Sequence, residues 1–272
     1  MVVIEHRAEY EVSVEKIDFF RENGFVVIQD VIGQKELLRY IDIVKDLLSG
    51  KIDCKEKRGD LGGHTERKDP KVENCVQIVH PYILTSLLDE CEHFRKGRDI
   101  CNQLFGDSTF ALDCSQILVK YPQSRTETPW HQDQSYYPPS IPDTRAANVW
   151  LALEDCSVEM GCMCFHPVPL TSKALSPHRP AGNGKGALTC EPPEGVPVYC
   201  PLKAGSVVVF GNYTYHYGGP NNSDTWRPAF VAQYRPALMV QACRVIHFDH
   251  GKFESNAEGE ERTAKRMKLH DA

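Results

Sequence analysis

Beyond Gly106 the chain is a succession of short strand-like runs, and this pattern limits what it can fold into more than any other feature. Thr109 to Lys120, Asn148 to Leu153, Met163 to Phe165, Val198 to Leu202, Ser206 to Phe210 and Ala229 to Tyr234 are apolar or β-branched and are joined by segments bearing Gly and Pro. Such runs predict antiparallel strands in a sandwich or barrel. Leu170 to Pro197 is rich in Pro and Gly without a helical period, and reads as an insertion between strands.

Upstream the character is helical. Ser13 to Asn23 predicts a helix with Ser13 as cap and Gly24 as stop, followed by a strand at Phe25 to Ile28. Gln34 to Ser49 predicts a second, with Leu37, Ile41, Val44 and Leu48 in one stripe that Leu38 widens. Lys51 to Asn74, charged and bearing Gly59, Gly62, Gly63 and Pro70, predicts a long surface loop in which His64 and Arg67 could meet a substrate. Cys75 to Val79 reads as a strand, and Ile83 to Phe94 and Asp99 to Phe105 as helices. The organisation expected is one domain over 1–253, with a helical buttress mostly in 13–106 and a β-sandwich mostly in 107–253. The tail 254–272 has five acidic and four basic residues and predicts disorder.

Composition excludes several classes. A net charge of −6 over 272 residues offers no electrostatic case for nucleic acid. No apolar run approaches the roughly 18 residues that span a bilayer, and Met1 to Glu9 is too charged for a secretory signal. Eleven scattered cysteines fit reduced thiols better than a disulfide framework, which points to a cytoplasmic protein. Oligomeric state is not legible.

The chemistry centres on Thr128-Pro-Trp-His131-Gln-Asp133-Gln-Ser-Tyr136-Tyr137. In an extended segment His131 and Asp133 share a face, giving an imidazole and a carboxylate for a divalent metal such as iron. His216 follows a strand-like run far downstream, and Arg227 lies eleven residues beyond it (227 − 216). Two histidines, a carboxylate and a following arginine are the parts of a non-haem iron, 2-oxoglutarate-dependent oxygenase. Any one of these residues is more often a chance occurrence; the ordered set on a β-rich chain is not. Three ligands leave three octahedral positions, two for a bidentate 2-oxo acid and one for O2. The guanidinium of Arg227 suits the distal carboxylate of 2-oxoglutarate.

Gly24-Phe-Val26, Trp130 to Tyr137, Val149 to Asp155, Met160 to Pro167, and Ala204 through His216 to Arg227 together resemble the phytanoyl-CoA dioxygenase family over about residues 15–236. The resemblance implies a mainly β fold with flanking helices: a double-stranded β-helix, the jelly-roll, cupin-like core. It also implies Fe(II) on His131, Asp133 and His216, and oxidative decarboxylation of 2-oxoglutarate to succinate and CO2 coupled to hydrogen abstraction from a small-molecule substrate. By the family pattern Trp150 flanks the co-substrate, with Lys120 and Gln116 as further pocket candidates. Gly218 stands where the family often has a small hydroxyl residue, so Thr225 is the candidate for that contact. The segment Met160-Gly-Cys-Met, then His166-Pro-Val-Pro169, departs from the family's usual turn, so a family substrate does not transfer. Asp133 favours hydroxylation, desaturation or ring closure over halogenation, which needs a small residue there. Gln132, Gln134, Tyr136 and Tyr137 flank the ligands and are candidates to read the substrate. The alternatives are a non-oxidative metal-dependent cupin enzyme, an isomerase or lyase, and an inactive binding module of the same fold.

Overall fold

The strand-rich half forms two antiparallel sheets laid face to face. A computed structural model describes residues 8–61, 73–124, 126–138, 140–181, 187–246 and 248. In chain order the elements are α1 (Val14–Asn23), β1 (Phe25–Ile28), α2 (Gln34–Leu48), β2 (Arg58–Asp60), β3 (Cys75–Val79), α3 (Glu92–Phe105), β4 (Phe110–Lys120) and β5 (Thr128–His131). There follow β6 (Ala147–Ala152), β7 (Met163–His166), β8 (Arg179–Pro180), β9 (Leu188–Thr189), β10 (Val198–Cys200), β11 (Val207–Gly211), β12 (Tyr215–Gly218), β13 (Arg227–Pro236) and α4 (Ala237–Val245). The larger sheet has seven strands in the order β1-β11-β6-β13-β4-β3-β2, and the smaller has four in the order β10-β7-β12-β5. This is the antiparallel sandwich that the strand pattern predicts, and the jelly-roll core that the family resemblance implies.

Period-two alternation divides the larger sheet between two environments. Ala147, Val149 and Leu151 of β6, Val207 and Val209 of β11, and Phe230, Ala232 and Tyr234 of β13 face the helices and pack with Phe20, Leu47, Ile100 and Leu104. Their neighbours Trp150, Ala152, Val208, Phe210, Ala229 and Val231 face the smaller sheet and pack on Phe165 and Met163. Each fully buried Leu, Ile or Phe contributes about 1.5–3 kcal/mol, so burial of the helix-side set holds the buttress on one face while the other face packs on the smaller sheet.

The helices differ from the sequence expectation in instructive ways. In α2 the buried stripe is Leu37, Tyr40, Ile41, Ile43, Val44 and Leu47, whereas Leu38 is 53% exposed. The stripe follows the 3.6-residue period toward Leu47 and leaves Leu38 on the far side. The two helices expected at 83–94 and 99–105 are instead short 3-10 turns at Pro81–Ile83 and Ser86–Leu88 and one continuous helix, α3. Gly97 does not break α3, because it is there for close packing: a Cβ would sit 2.7 Å from the Tyr234 hydroxyl, which donates to the Phe94 carbonyl at 2.9 Å.

The expected loop at 51–74 contains β2, which extends the larger sheet by pairing with β3; its Arg58 forks onto Glu73. His64, Arg67 and the tail 254–272 lie outside the described residues. The insertion at 170–197 carries the β8–β9 hairpin. His216 lies on a strand of its own, β12, and α4 has no counterpart in the expectation. All eleven cysteines are buried free thiols.

His93, 1% exposed, packs between Phe94 and Phe230. Burial pushes its imidazole down to about 3, against about 6.5 in an unfolded chain. The unfolded chain therefore takes the proton first, so this group's contribution is complete above about pH 6.5 and is lost as pH falls toward 3. Linkage sets the loss at pH 5 at about 2 kcal/mol. Urea unfolding of chelator-treated protein at pH 7.5 and pH 5 should show His93→Leu losing less stability than wild type by about that amount; equal losses would remove His93 as the cause.

Candidate metal centre

β5 and β12 are neighbours in the smaller sheet, and their antiparallel register sets His216 directly across from His131. The two ring centroids are 4.1 Å apart. β5 ends at His131; Gln132 stays extended (φ −124, ψ 128) and Asp133 opens the 3-10 turn Asp133–Tyr136. One extended residue between them is enough to keep His131 and Asp133 on one side. Asp133 Oδ1 lies 3.5 Å from Nε2 of both histidines, and one ligand atom from each residue lies within 4.8 Å of the others.

The hydrogen bonds choose the tautomers. Nδ1 of His131 faces the Pro129 carbonyl at 2.7 Å, and Nδ1 of His216 faces the Thr214 carbonyl at 2.9 Å. A carbonyl only accepts, so each Nδ1 carries the proton and each Nε2 presents a lone pair toward Asp133. Burial opposes charge on Asp133, but in the metal-free site a proton on Nε2 of either histidine outweighs it and holds the carboxyl well below the usual carboxylate range; a metal ion takes that proton's place. Burial, then the neighbouring His216, pushes the His131 imidazole down. Asn148 Nδ2 on β6 donates to Asp133 Oδ2 at 2.5 Å, which fixes the carboxylate plane. Two neutral imidazoles and one ionised carboxylate form a donor set that fits a divalent first-row ion such as Fe(II).

Further along the inner face, Arg227 opens β13 opposite Lys120, the last residue of β4. Arg227 is 4% exposed, yet among the described residues its Nε and Nη1 have no hydrogen-bond partner. Its guanidinium carbon lies 5.3 Å from the Trp150 ring. Lys120 is fully buried and donates to the carbonyls of Gly218 and Gly219 at 3.0 and 2.6 Å. Burial first, then the charge of Arg227, pushes its ammonium down to about 7. A Cβ on Gly218 would lie 3.8 Å from Lys120 Nζ, so the ammonium sits beside the space that a side chain at 218 would take.

The remaining candidates separate clearly. Gln116 accepts from Gln77 Nε2 at 2.7 Å on the inner face. Thr225 is not brought to this centre: it is exposed, before β13 begins, with its hydroxyl 3.4 Å from that of Ser223. Gln132 is fully buried. Its side-chain amide donates to the Ala174 and Tyr213 carbonyls at 2.8 Å each and accepts from Ser176 N–H at 2.9 Å, while its backbone N–H donates to His178 Nε2 at 3.0 Å. It clamps the metal loop to the insertion. Gln134 accepts from Asn212 at 3.2 Å, and the Tyr136 hydroxyl accepts from Leu188 N–H at 2.9 Å. The Tyr137 hydroxyl donates to Gln233 Oε1. Of the four proposed substrate readers, Tyr136 has its ring against His131, 5.9 Å between centroids.

Sequence reasoning missed Asn148, His178 and Gln233. Asn148 had a signal, being the lone amide in an otherwise apolar strand on the same parity as Trp150. A cavity of about 310 Å³, with walls that include Phe105, Leu170, Lys173 and Asn212, is lined by none of the three ligand residues.

The sequence profile of the phytanoyl-CoA dioxygenase (PhyH) family matches residues 20–229. A Caenorhabditis elegans protein named "Probable phytanoyl-CoA dioxygenase" is 24% identical over 265 residues, 90% of this chain and 81% of its own. Among solved structures, EvdO2 from Micromonospora carbonacea var. aurantiaca, complexed with 2-oxoglutarate, aligns with a TM-score of 0.68 and 24% identity over 83% of this chain and 91% of that one. The epimerase SnoN, in complex with Fe3+, alpha ketoglutarate and nogalamycin RO, aligns with a TM-score of 0.63 and 20% identity over 82% and 83%. At these identities the structural likeness is one of fold.

Because Asn148 is the donor that orients Asp133, Asn148→Ala should weaken metal binding about 10- to 100-fold. Titration with Fe(II) under anaerobic conditions reads this directly. Unchanged affinity in a folded Asn148→Ala protein would mean that the carboxylate is positioned without it.

Proposed function

The chain belongs to the phytanoyl-CoA dioxygenase family, and from that premise we propose that it is an Fe(II)- and 2-oxoglutarate-dependent oxygenase acting on a small molecule. His131, Asp133 and His216 hold the metal, and Arg227 receives the distal carboxylate of 2-oxoglutarate. The observation that carries this reading is the buried guanidinium of Arg227. It has two nitrogens without hydrogen-bond partners and lies on the sheet face turned toward the smaller sheet, which carries His131 and His216. A cation buried without an acceptor is expensive, and a bidentate carboxylate is the natural complement.

When bound, the iron and 2-oxoglutarate supply oxidation by O2, with release of succinate and CO2. The protein's share is positioning and exclusion of water. Asn148 and the two backbone carbonyls orient the three ligands, and Trp150 covers the Arg227 side. Lys120 adds a second positive centre to that pocket, with Gln116 farther along the same strand. The apolar inner face formed by Val208, Phe210, Ala229 and Val231 keeps the chamber dry. Tyr136, beside His131, is the side chain best placed to meet substrate. Residues 1–253 act as one such domain, in a reducing compartment such as the cytoplasm, where buried thiols and ferrous iron persist. No helix of the described residues is long and apolar enough to cross a membrane.

The outcome on the substrate is hydrogen abstraction, completed as hydroxylation or as another rearrangement. Neighbours of the same fold include an enzyme described as an epimerase and one described as a carbocyclase, so the fold does not fix that last step. A non-oxidative cupin reading gives Arg227 no ligand.

Anaerobic addition of Fe(II) and then 2-oxoglutarate should produce the weak visible charge-transfer band of a chelated complex. His131→Ala should abolish it, and Arg227→Ala should raise the 2-oxoglutarate needed by roughly 10²-fold, as expected for a lost bidentate charged pair. Metal binding with no band would replace this reading with the non-oxidative one.

A further inference from the structure

Strand β13 carries a second buried arginine on the face of Arg227. Arg227, Ala229, Val231, Gln233 and Arg235 alternate there, opposite Phe230, Ala232 and Tyr234 of the helix-side core. Gln233 pairs with Asn148, whose amide holds Asp133, so the Gln233 row is level with the metal carboxylate. Arg227 lies six residues to one side along the strand, where Lys120 across from it reaches the carbonyl of Gly218, two residues beyond the ligand His216, and Arg235 lies two residues to the other side.

Arg235 is fully buried, 0% exposed. Its guanidinium stacks 3.8 Å from the centroid of Tyr137, the residue that closes the metal loop and bonds Gln233. Among the described residues its one hydrogen bond runs from Nη1 to the Cys243 sulfur at 3.5 Å, a weak acceptor. Nε and Nη2 have none. These two N–H groups lie on one edge of the guanidinium, the parallel pair that meets both oxygens of a carboxylate or phosphoryl group. The carboxylates in its surroundings include Asp113, Asp143 and, across the Tyr137 ring, Asp133, which is held by Asn148. Asp113 is already engaged by Arg244 at 2.9 Å, and Asp143 by Arg145 at 2.7 Å. Among the described residues, then, the strand holds two buried guanidinium groups with unmet donors, one on each side of the metal carboxylate. One co-substrate accounts for Arg227 and leaves Arg235 without an acceptor.

We propose that Arg235 anchors an oxyanion of the substrate, a carboxylate or a phosphoryl group, so that the chamber takes a small acid whose reacting carbon lies over the metal ligands. This rests on the oxygenase reading above and names the class of molecule that the same site oxidises.

The test uses the full chain, held anaerobically with saturating Fe(II) and 2-oxoglutarate so that Arg227 is occupied, and titrated calorimetrically with hexanoate, hexyl phosphate and hexanol. Wild type should bind one of the two anions at least about tenfold more tightly than hexanol, as a charge-assisted bidentate contact requires, and the better anion identifies the group. Arg235→Met should lose that preference while keeping its 2-oxoglutarate affinity within about twofold, because the two arginines sit at opposite ends of the strand. Free of anions, it should melt no lower than wild type, since the buried charge it removes has no partner. No anion preference in wild type, or a preference that survives in Arg235→Met, would overturn the proposal. So would a marked fall in melting temperature or failure of this variant to fold, either of which would make Arg235 a scaffold residue. Arg227→Met titrated without 2-oxoglutarate gives the same oxyanion readout, so a failed oxygenase reading stays distinguishable from a failed anchor.

Discussion

The antiparallel pairing of β5 with β12 puts one imidazole directly opposite another, and a slip of a single residue would turn one of them to the wrong face. These strands are only four residues each, so the pairing needs help. β12 gains it from β7 on its other side. The rings gain it from the chain itself, because each histidine Nδ1 is held by the carbonyl two residues earlier, Pro129 or Thr214. Ring orientation is thus set within each strand, and register alone decides whether the two lone pairs converge. Asp133 then needs only one extended residue, Gln132, to complete the set.

Around that centre the charge is lopsided. Asp133 is the one carboxylate among the three ligands, whereas Arg227, Lys120 and Arg235 are all buried basic side chains on the sheet that faces it. Each is tolerated differently. Lys120 is satisfied by two carbonyls and drawn toward neutrality, Arg235 lies on an aromatic face, and Arg227 lies beside an indole. Buried donors of this kind favour an anion, because they are fixed in a region that water cannot screen.

Much of this was legible in the sequence because it depends on period. The inner parity of β13 and β6 assigns Arg227 and Trp150 to one face, and Lys120 joins them from β4. The metal ligands follow from a two-residue spacing and a distant histidine. What could not be read depended on contacts between segments remote in sequence. Whether Gly97 breaks a helix or admits Tyr234 is settled 137 residues later (234 − 97) by a hydroxyl. Thr225 had the right chemistry in the right neighbourhood, but the strand starts two residues too late to turn it inward. Gln132 looked like a substrate reader because of its place between two ligands, and only the fold shows its amide fully engaged by residues 174, 176 and 213.

That engagement has a consequence for how such a site can change over time. The insertion between β7 and β10 is where variation in length and composition would be expected to cost least. Yet its residues 174–178 grip the backbone and side chain of the residue between two metal ligands. The insertion and the metal loop therefore form one mechanical unit. Remodelling the insertion to admit a different molecule also loosens or tightens the grip on the metal, so selectivity and metal retention drift together and a new specificity must be found among the loops that still hold Gln132.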